Sequence, residues 1–123
     1  MTTEEFNHFF GDFMGECRKI HATKGKEYSG NGDRLANFKR LAARLNVTPE
    51  TVCFIYGTKH LDALASLTEH IETEKRLPPS ISEPIEGRFH DAVNYLVLLA
   101  ALCEERRLVE KAEAQPGLLS DLL

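Results

Sequence analysis

The residues best placed to do chemistry are Asp91, Asn94 and Tyr95. Spacings of three and four put them on one face of a helix, inside a stretch from Ala92 to Cys103 that is otherwise apolar. A helix apolar nearly all round is expected to be buried among several neighbours. There a carboxylate or an amide must find a partner, or its burial costs about 1 to 3 kcal/mol. Lys59 and His60, on a second largely apolar helix, are the available partners if the two helices run antiparallel. Such a cluster is either a ligand site or a satisfied ion pair that sets helix register.

Two further features could serve an anion or a cation. The segment from Lys24 to Asp33 carries Gly25, Gly30 and Gly32 with Asn31 and Ser29, and reads as a loop. Its Lys24 and Lys26, with exposed backbone N–H groups, could receive phosphate. It lacks the spacing of a P-loop. Tyr28 and Asp33 add polar chemistry, although turn and capping roles account for both. For Mg²⁺, which takes oxygen ligands, Asp62 could converge with Asp91 from the neighbouring helix. Glu83 and Glu86 lie at a helix end, and Glu69 and Glu72 lie far from Lys59 and His60. No Ser-His-Asp or Cys-His arrangement is readable. His8, His21 and His70 read as surface or boundary residues, and His90 has no assigned role.

The elements that must position these residues are helical. Thr2 or Thr3 caps a first helix, with Glu4 and Glu5 at its positive end. Phe6, Phe9, Phe10, Phe13, Cys17 and Ile20 form its apolar stripe and are expected to enter the core. Asp33 caps a second helix whose buried face is Leu35, Phe38, Leu41, Ala42 and Leu45, closed by Asn46. Thr48-Pro49-Glu50 opens a third, running through Val52, Phe54 and Ile55. Gly57 is expected to kink it before Leu61, Leu64, Leu67 and Ile71. Pro78 and Pro79 mark an extended connection over residues 74–82. The last helix starts near Glu83-Pro84 and reaches about Ala112, ahead of a Leu-rich tail. The pattern predicts one all-α, four-helix domain over residues 1–123, with its core at about 4–112 and its tail at 113–123.

Composition narrows the function classes. The chain has 123 residues, 42% of them hydrophobic and 28% charged, as expected of a folded domain. A net charge of -4 argues against bulk nucleic-acid binding. The stretch Arg18–Arg44, however, holds eight basic side chains against two acidic, a local net of +6. Cys17, Cys53 and Cys103 lie far apart on apolar runs and read as small core residues of a reducing compartment. No signal peptide or bilayer-spanning run is visible, so a cytoplasmic setting is expected.

Three stretches, Lys26–Lys39, Lys59-His60 and Asp91–Leu99, together resemble a family of phage and prophage proteins, the nucleotide-modification-associated domain family. That family is similar to the all-α MazG-like nucleotide pyrophosphohydrolases, and the resemblance spans roughly residues 4–106. It implies a MazG-like helical bundle, a homo-oligomer, acting in the host cytoplasm during phage growth. It also implies that Tyr28, Asp33, Asn37, Lys59, His60, Asp91, Asn94 and Tyr95 group around one pocket. MazG-like enzymes hold Mg²⁺ with an ExxE and a later ExxD motif. Glu69–Glu72 matches the first by letter, and no ExxD follows in this chain.

Two readings follow. In the first, the chain binds or processes a nucleotide. Lys59, His60 and the Lys24/Lys26 loop receive phosphate, Asn94 and Tyr95 contact the base or sugar, and Asp91 orients His60 or a cation. If it is an enzyme, phosphoanhydride hydrolysis is the expected reaction, with Asp62 and Asp91 helping to hold Mg²⁺. In the second, it is a non-catalytic interaction protein that binds a host protein, such as a defence component, through its helical surface.

Overall fold

The computed structural model describes residues 1–28, 32–79 and 85–115, and the side chains of these except at 26–28. Four helices follow in order: α1 (Thr3–Tyr28), α2 (Ala36–Leu45), α3 (Pro49–Glu74) and α4 (Ile85–Ala114), with no strand among the described residues. None of the helices is long and apolar enough to cross a membrane.

The helix ends follow local chemistry. Thr2 Oγ1 accepts from the Glu5 backbone N–H at 3.1 Å, and Glu5 Oε2 accepts from the Thr2 backbone N–H at 2.7 Å. This reciprocal pair satisfies donors that the first turn leaves open. Thr48 caps α3 by accepting from Thr51 N–H at 3.2 Å, with Pro49 in the first turn. Asn46, in the left-handed region at φ 55°, closes α2, and Lys75, at φ 57°, closes α3. Asp33 acts one step earlier than expected. Its Oδ1 accepts from Leu35 N–H at 2.9 Å, forming the turn that leads into α2 rather than capping the helix itself.

Packing centres on the antiparallel pair α3 and α4, with α2 against α3 and α1 against α4. The core joins Leu35, Phe38 and Ala42 of the α2 region to Val52 and Cys53 of α3 and Leu102 of α4. At one end of the pair Arg106 donates to both carboxylate oxygens of Glu50, at 2.6 and 2.9 Å. Lys39 ties α2 to α4 by reaching Asp33 at 2.7 Å and Glu105 at 2.6 Å. The ring of Phe13 packs against His90, 4.5 Å between centroids, where α1 meets α4.

Several expectations need correction. α1 does not stop at Lys24 but continues through Gly25 to Tyr28. Gly25 suits this position because the Arg34 side chain lies across it: a Cβ there would stand 3.3 Å from Arg34 Nε. Gly57 does not break α3, which runs on to Glu74. It serves instead as a close contact with α4, where a Cβ would meet Tyr95 Cβ at 3.2 Å. The aromatic stripe of α1 is only partly used. Cys17 is buried and Phe13 half-buried, but Phe6, Phe9 and Phe10 are each about half exposed. Leu45, Phe54, Ile55, Leu61 and Ile71 also keep large exposed areas, as do Leu96 and Val97 of α4. Cys103 is exposed, unlike Cys17 and Cys53. α4 is therefore covered on one side only. The start of α4 at Glu83-Pro84 and the tail beyond Gln115 lie outside the described residues.

Candidate functional site

The face of α4 that carries Asp91, Asn94 and Leu98 looks into a cavity of about 240 Å³, closed by Ile20, His21 and Lys24 of α1. Arg34, Asn37 and Phe38 from the α2 region and Tyr56 of α3 complete the wall, with Tyr95 beside Asn94. The local sequence explains the convergence. Phe13, Cys17, His21 and Lys24 recur at steps of four and three, so the side of α1 that packs on α4 carries His21 and Lys24 into the cavity. Arg34 reaches it by crossing α1 at Gly25.

Asn94 is the central anomaly. It is only 5% exposed, and neither its Nδ2 nor its Oδ1 has a hydrogen-bond partner. His21 Nε2 is likewise buried and unpartnered. Native interiors rarely leave such atoms unpaired. A bond between His21 and Asn94, which face each other closely enough to influence His21's protonation, would satisfy one atom of each and leave the remaining Asn94 capacity open.

The electrostatics of the cavity are positive on one side. Among the described residues Lys24 and Arg34 have no carboxylate partner. Burial foremost, then the Arg34 charge and more weakly the Lys24 charge, holds the His21 imidazole below its ordinary pKa, against a smaller opposing influence of Asn94. His21 is therefore neutral at neutral pH and able to donate at one ring nitrogen and accept at the other. Asp91 supplies the cavity's carboxylate. Behind it, His60 Nδ1 stands 3.8 Å from Asp91 Oδ2, and the His60 ring stacks on Tyr95 with centroids 5.1 Å apart.

Tyr95 is gripped from three directions on α3. Gly57 leaves room for the base of the Tyr95 side chain, His60 backs the ring, and the Cys53 thiol points at the Tyr95 carbonyl oxygen, 3.7 Å away. Burial pushes the Cys53 thiol up to about 11, so it is no nucleophile at neutral pH.

The expected site residues thus fall into distinct places. Asn37, Asp91, Asn94 and Tyr95 line one cavity. His60 stands just outside, supporting Asp91 and Tyr95, while Lys59 is exposed. Asp33 is turned to Lys39, whose hydrogen bond, helped by the Leu35 N–H, holds its carboxyl below the usual range. Asp62 is exposed and lines no part of the cavity. The side chains of Lys26 and Tyr28 lie outside the described residues. His21, Arg34 and Tyr56 were not anticipated. The four-residue step from Cys17 to His21 was the available signal for His21, while only the packed chain reveals that Arg34 crosses Gly25.

Among the described residues no group of three or more His, Cys, Asp or Glu is placed to hold a metal ion. A second cavity, of about 300 Å³, lies near the Glu50 end of the α3–α4 pair. Its Lys39 and Arg106 are already engaged by Glu105 and Glu50, whereas Lys24 and Arg34 in the first cavity have no such partner among the described residues. The chain matches no protein-family model, no curated protein and no solved structure.

Proposed function

We propose that the cavity between α1, the α2 region and α4 binds a nucleotide or a nucleotide-like anion. The observation that carries this reading is Asn94, buried with both polar atoms of its side chain unpartnered and aimed into a cavity beside two cations. An amide presents a donor and an acceptor side by side, which suits the edge of a nucleobase. Lys24 and Arg34 suit phosphate, Arg34 with the planar fork that binds phosphate oxygens in pairs. The rings of Tyr56 and Tyr95 add aromatic surface to the cavity wall. The likeness of Lys26–Lys39, Lys59-His60 and Asp91–Leu99 to the nucleotide-modification-associated family, with its MazG-like relatives, supports the same ligand class.

A nucleotide could arrive with Mg²⁺, which commonly uses one or two protein carboxylates together with substrate phosphates and water. Asp91 fits as such a carboxylate, and it is the one acid among the described cavity-lining residues. Binding is therefore the proposed activity. Hydrolysis of a phosphoanhydride is its testable extension.

The test is thermal denaturation with nucleoside mono-, di- and triphosphates and with inorganic phosphate, each with and without Mg²⁺. A ligand at a hundred times its Kd adds about 2.7 kcal/mol to the stability of a protein it binds only when folded. The expected result is a raised Tm with at least one nucleotide, lost in Asn94→Leu. An unmoved Tm across the whole panel would overturn the reading.

A second reading, a non-catalytic interaction protein, draws on the exposed stripe Phe6, Phe9 and Phe10 at the start of α1. Co-purification of one host protein, abolished by Phe9→Glu with no nucleotide shift, would favour it.

A further inference from the structure

Beside the Asn94 cavity lies a further, more open recess of about 290 Å³, lined by Asn37, Arg40, Leu41 and Arg44 of α2 and by Tyr56 of α3. Asn37 and Tyr56 also line the Asn94 cavity, so the two spaces share a wall. Each keeps its own cations, Lys24 and Arg34 on one side and Arg40 and Arg44 on the other. Steps of three and four keep Asn37, Arg40 and Arg44 on one face of α2, and over that run the helix rises about 10 Å. Arg40 donates to Asn37 Oδ1 at 3.1 Å, which leaves most of its guanidinium donors open. Among the described residues no carboxylate pairs with Arg40 or Arg44. α2 itself carries no Asp or Glu, in a chain whose 19 acids outnumber its 15 Lys and Arg. Lys24, Arg34, Arg40 and Arg44 are half of the eight basic side chains in the Arg18–Arg44 stretch.

We infer that the two spaces together take a nucleotide with a second phosphate on the far side of its sugar, as in a nucleoside 3′,5′-bisphosphate or the end of a short single strand. The inference rests on the nucleotide reading of the Asn94 cavity. One phosphate sits at Lys24 and Arg34, the other at Arg40 and Arg44, and the nucleoside lies between them against Asn37 and Tyr56. The shared wall selects this ligand over a polyphosphate. In a di- or triphosphate the anionic groups are bonded in a row and need cations in a row. Here an amide and an aromatic ring stand between two pairs of cations. Asn37, with its Oδ1 taken by Arg40, keeps its Nδ2 as a donor for a sugar hydroxyl or a base edge. An arginine at each phosphate suits the planar fork to two oxygens at once. The overall charge of -4 limits the length of the strand, because the field turns repulsive beyond this local basic patch.

The experiment is titration calorimetry on the full chain with five ligands that share one base: the 5′-monophosphate, the 3′-monophosphate, the 5′-diphosphate, the 3′,5′-bisphosphate and a 5′-phosphorylated dinucleotide. The bisphosphate or the dinucleotide should bind about tenfold or more tighter than either monophosphate. The 5′-diphosphate, which adds its second phosphate next to the first, should lack that gain. A gain with the bisphosphate alone identifies a free bisphosphate as the ligand, and a gain with the dinucleotide identifies a strand end. Replacing both Arg40→Gln and Arg44→Gln should remove the gain and leave the 5′-monophosphate affinity within about twofold, because neither side chain lines the Asn94 cavity. Arg44→Gln alone should flatten the dependence of log affinity on log salt by about 0.7. Arg76→Gln, the same change of charge at an exposed position beyond the end of α3, should alter none of these preferences.

Equal affinities for the monophosphates, the bisphosphate and the dinucleotide would overturn the inference while leaving the nucleotide reading of the Asn94 cavity in place. So would a 5′-diphosphate that binds as tightly as the bisphosphate, or a gain that survives the loss of both arginines. Binding of none of the five would remove both readings together. Arg40 and Arg44 are exposed, so helical circular dichroism should be kept in their variants. Should the double variant unfold, the comparison of ligands on the wild-type chain still decides.

Discussion

Gly57 lies directly against the Tyr95 side chain: a β-carbon on Gly57 would stand 3.2 Å from the β-carbon of Tyr95. The contact sets the spacing of the two central helices where the cavity begins, and a Cβ cannot swing away as the end of a long side chain can. In Gly57→Ala the alanine gains about 1 kcal/mol of helix propensity, and overpacking costs about 1 to 3 kcal/mol. The expected net is a destabilisation of about 1 kcal/mol, a Tm lower by roughly 3 to 5 °C, measured by calorimetry. A more stable variant would mean that α3 and α4 separate freely here.

Asn94→Leu tests the buried amide from the other side. Removing two buried polar atoms that have no partner within the fold should make the protein more stable without ligand, by about 1 kcal/mol. The same change should abolish nucleotide binding. A gain in stability with a loss of binding is the signature of a group kept for its ligand. Loss of both would instead identify Asn94 as a structural residue satisfied within the fold.

Arg34→Ala separates phosphate binding from base recognition. The guanidinium lines the cavity without a carboxylate partner among the described residues, so its removal leaves no buried charge stranded. Affinity for a nucleoside triphosphate should fall about tenfold or more, and the salt dependence of binding should weaken. Affinity for the corresponding nucleoside should change little. Arg34→Lys should restore only part of the loss, because an ammonium lacks the planar fork.

His21 gives a pH dependence whose sign can be stated. Burial, then Arg34 and then Lys24, depresses its pKa in the free protein. The folded state therefore binds fewer protons than the unfolded state, and stability declines as pH falls below the unfolded value of about 6.5. A bound phosphate supplies negative charge beside the imidazole and raises its pKa. Binding then takes up a proton, so affinity should rise as pH falls through the raised pKa of the bound state toward the lowered pKa of the free protein. Titration calorimetry at several pH values checks this against His21→Gln, which shares the phosphate's own titration but should show a flatter profile. Equal slopes in the two proteins would remove His21 from the site.

Much of the architecture was legible because helix ends are local chemistry. Thr2 with Glu5, Asn46, and Thr48 with Pro49 act within three or four residues of themselves, and all four helices follow from them and the apolar spacing. Asp91 and Asn94 were legible as polar residues on an apolar helix. Coverage was not. Periodicity shows which residues are apolar and is silent on what lies against them, so Phe9, Phe54 and Leu96 read as core and prove exposed. Arg34 and Tyr56 were illegible for a related reason. Each belongs to another element than α4, and only packing brings it to Asn94.

Tyr95 belongs to the wall of the cavity and, from its other side, to a shallow apolar groove between α3 and α4. A side chain that serves two surfaces back to back ties the shape of one to the shape of the other. Anything that shifts the ring from the groove side would change the cavity wall, and by reciprocity a cavity ligand that holds the ring would change the groove by the same free energy.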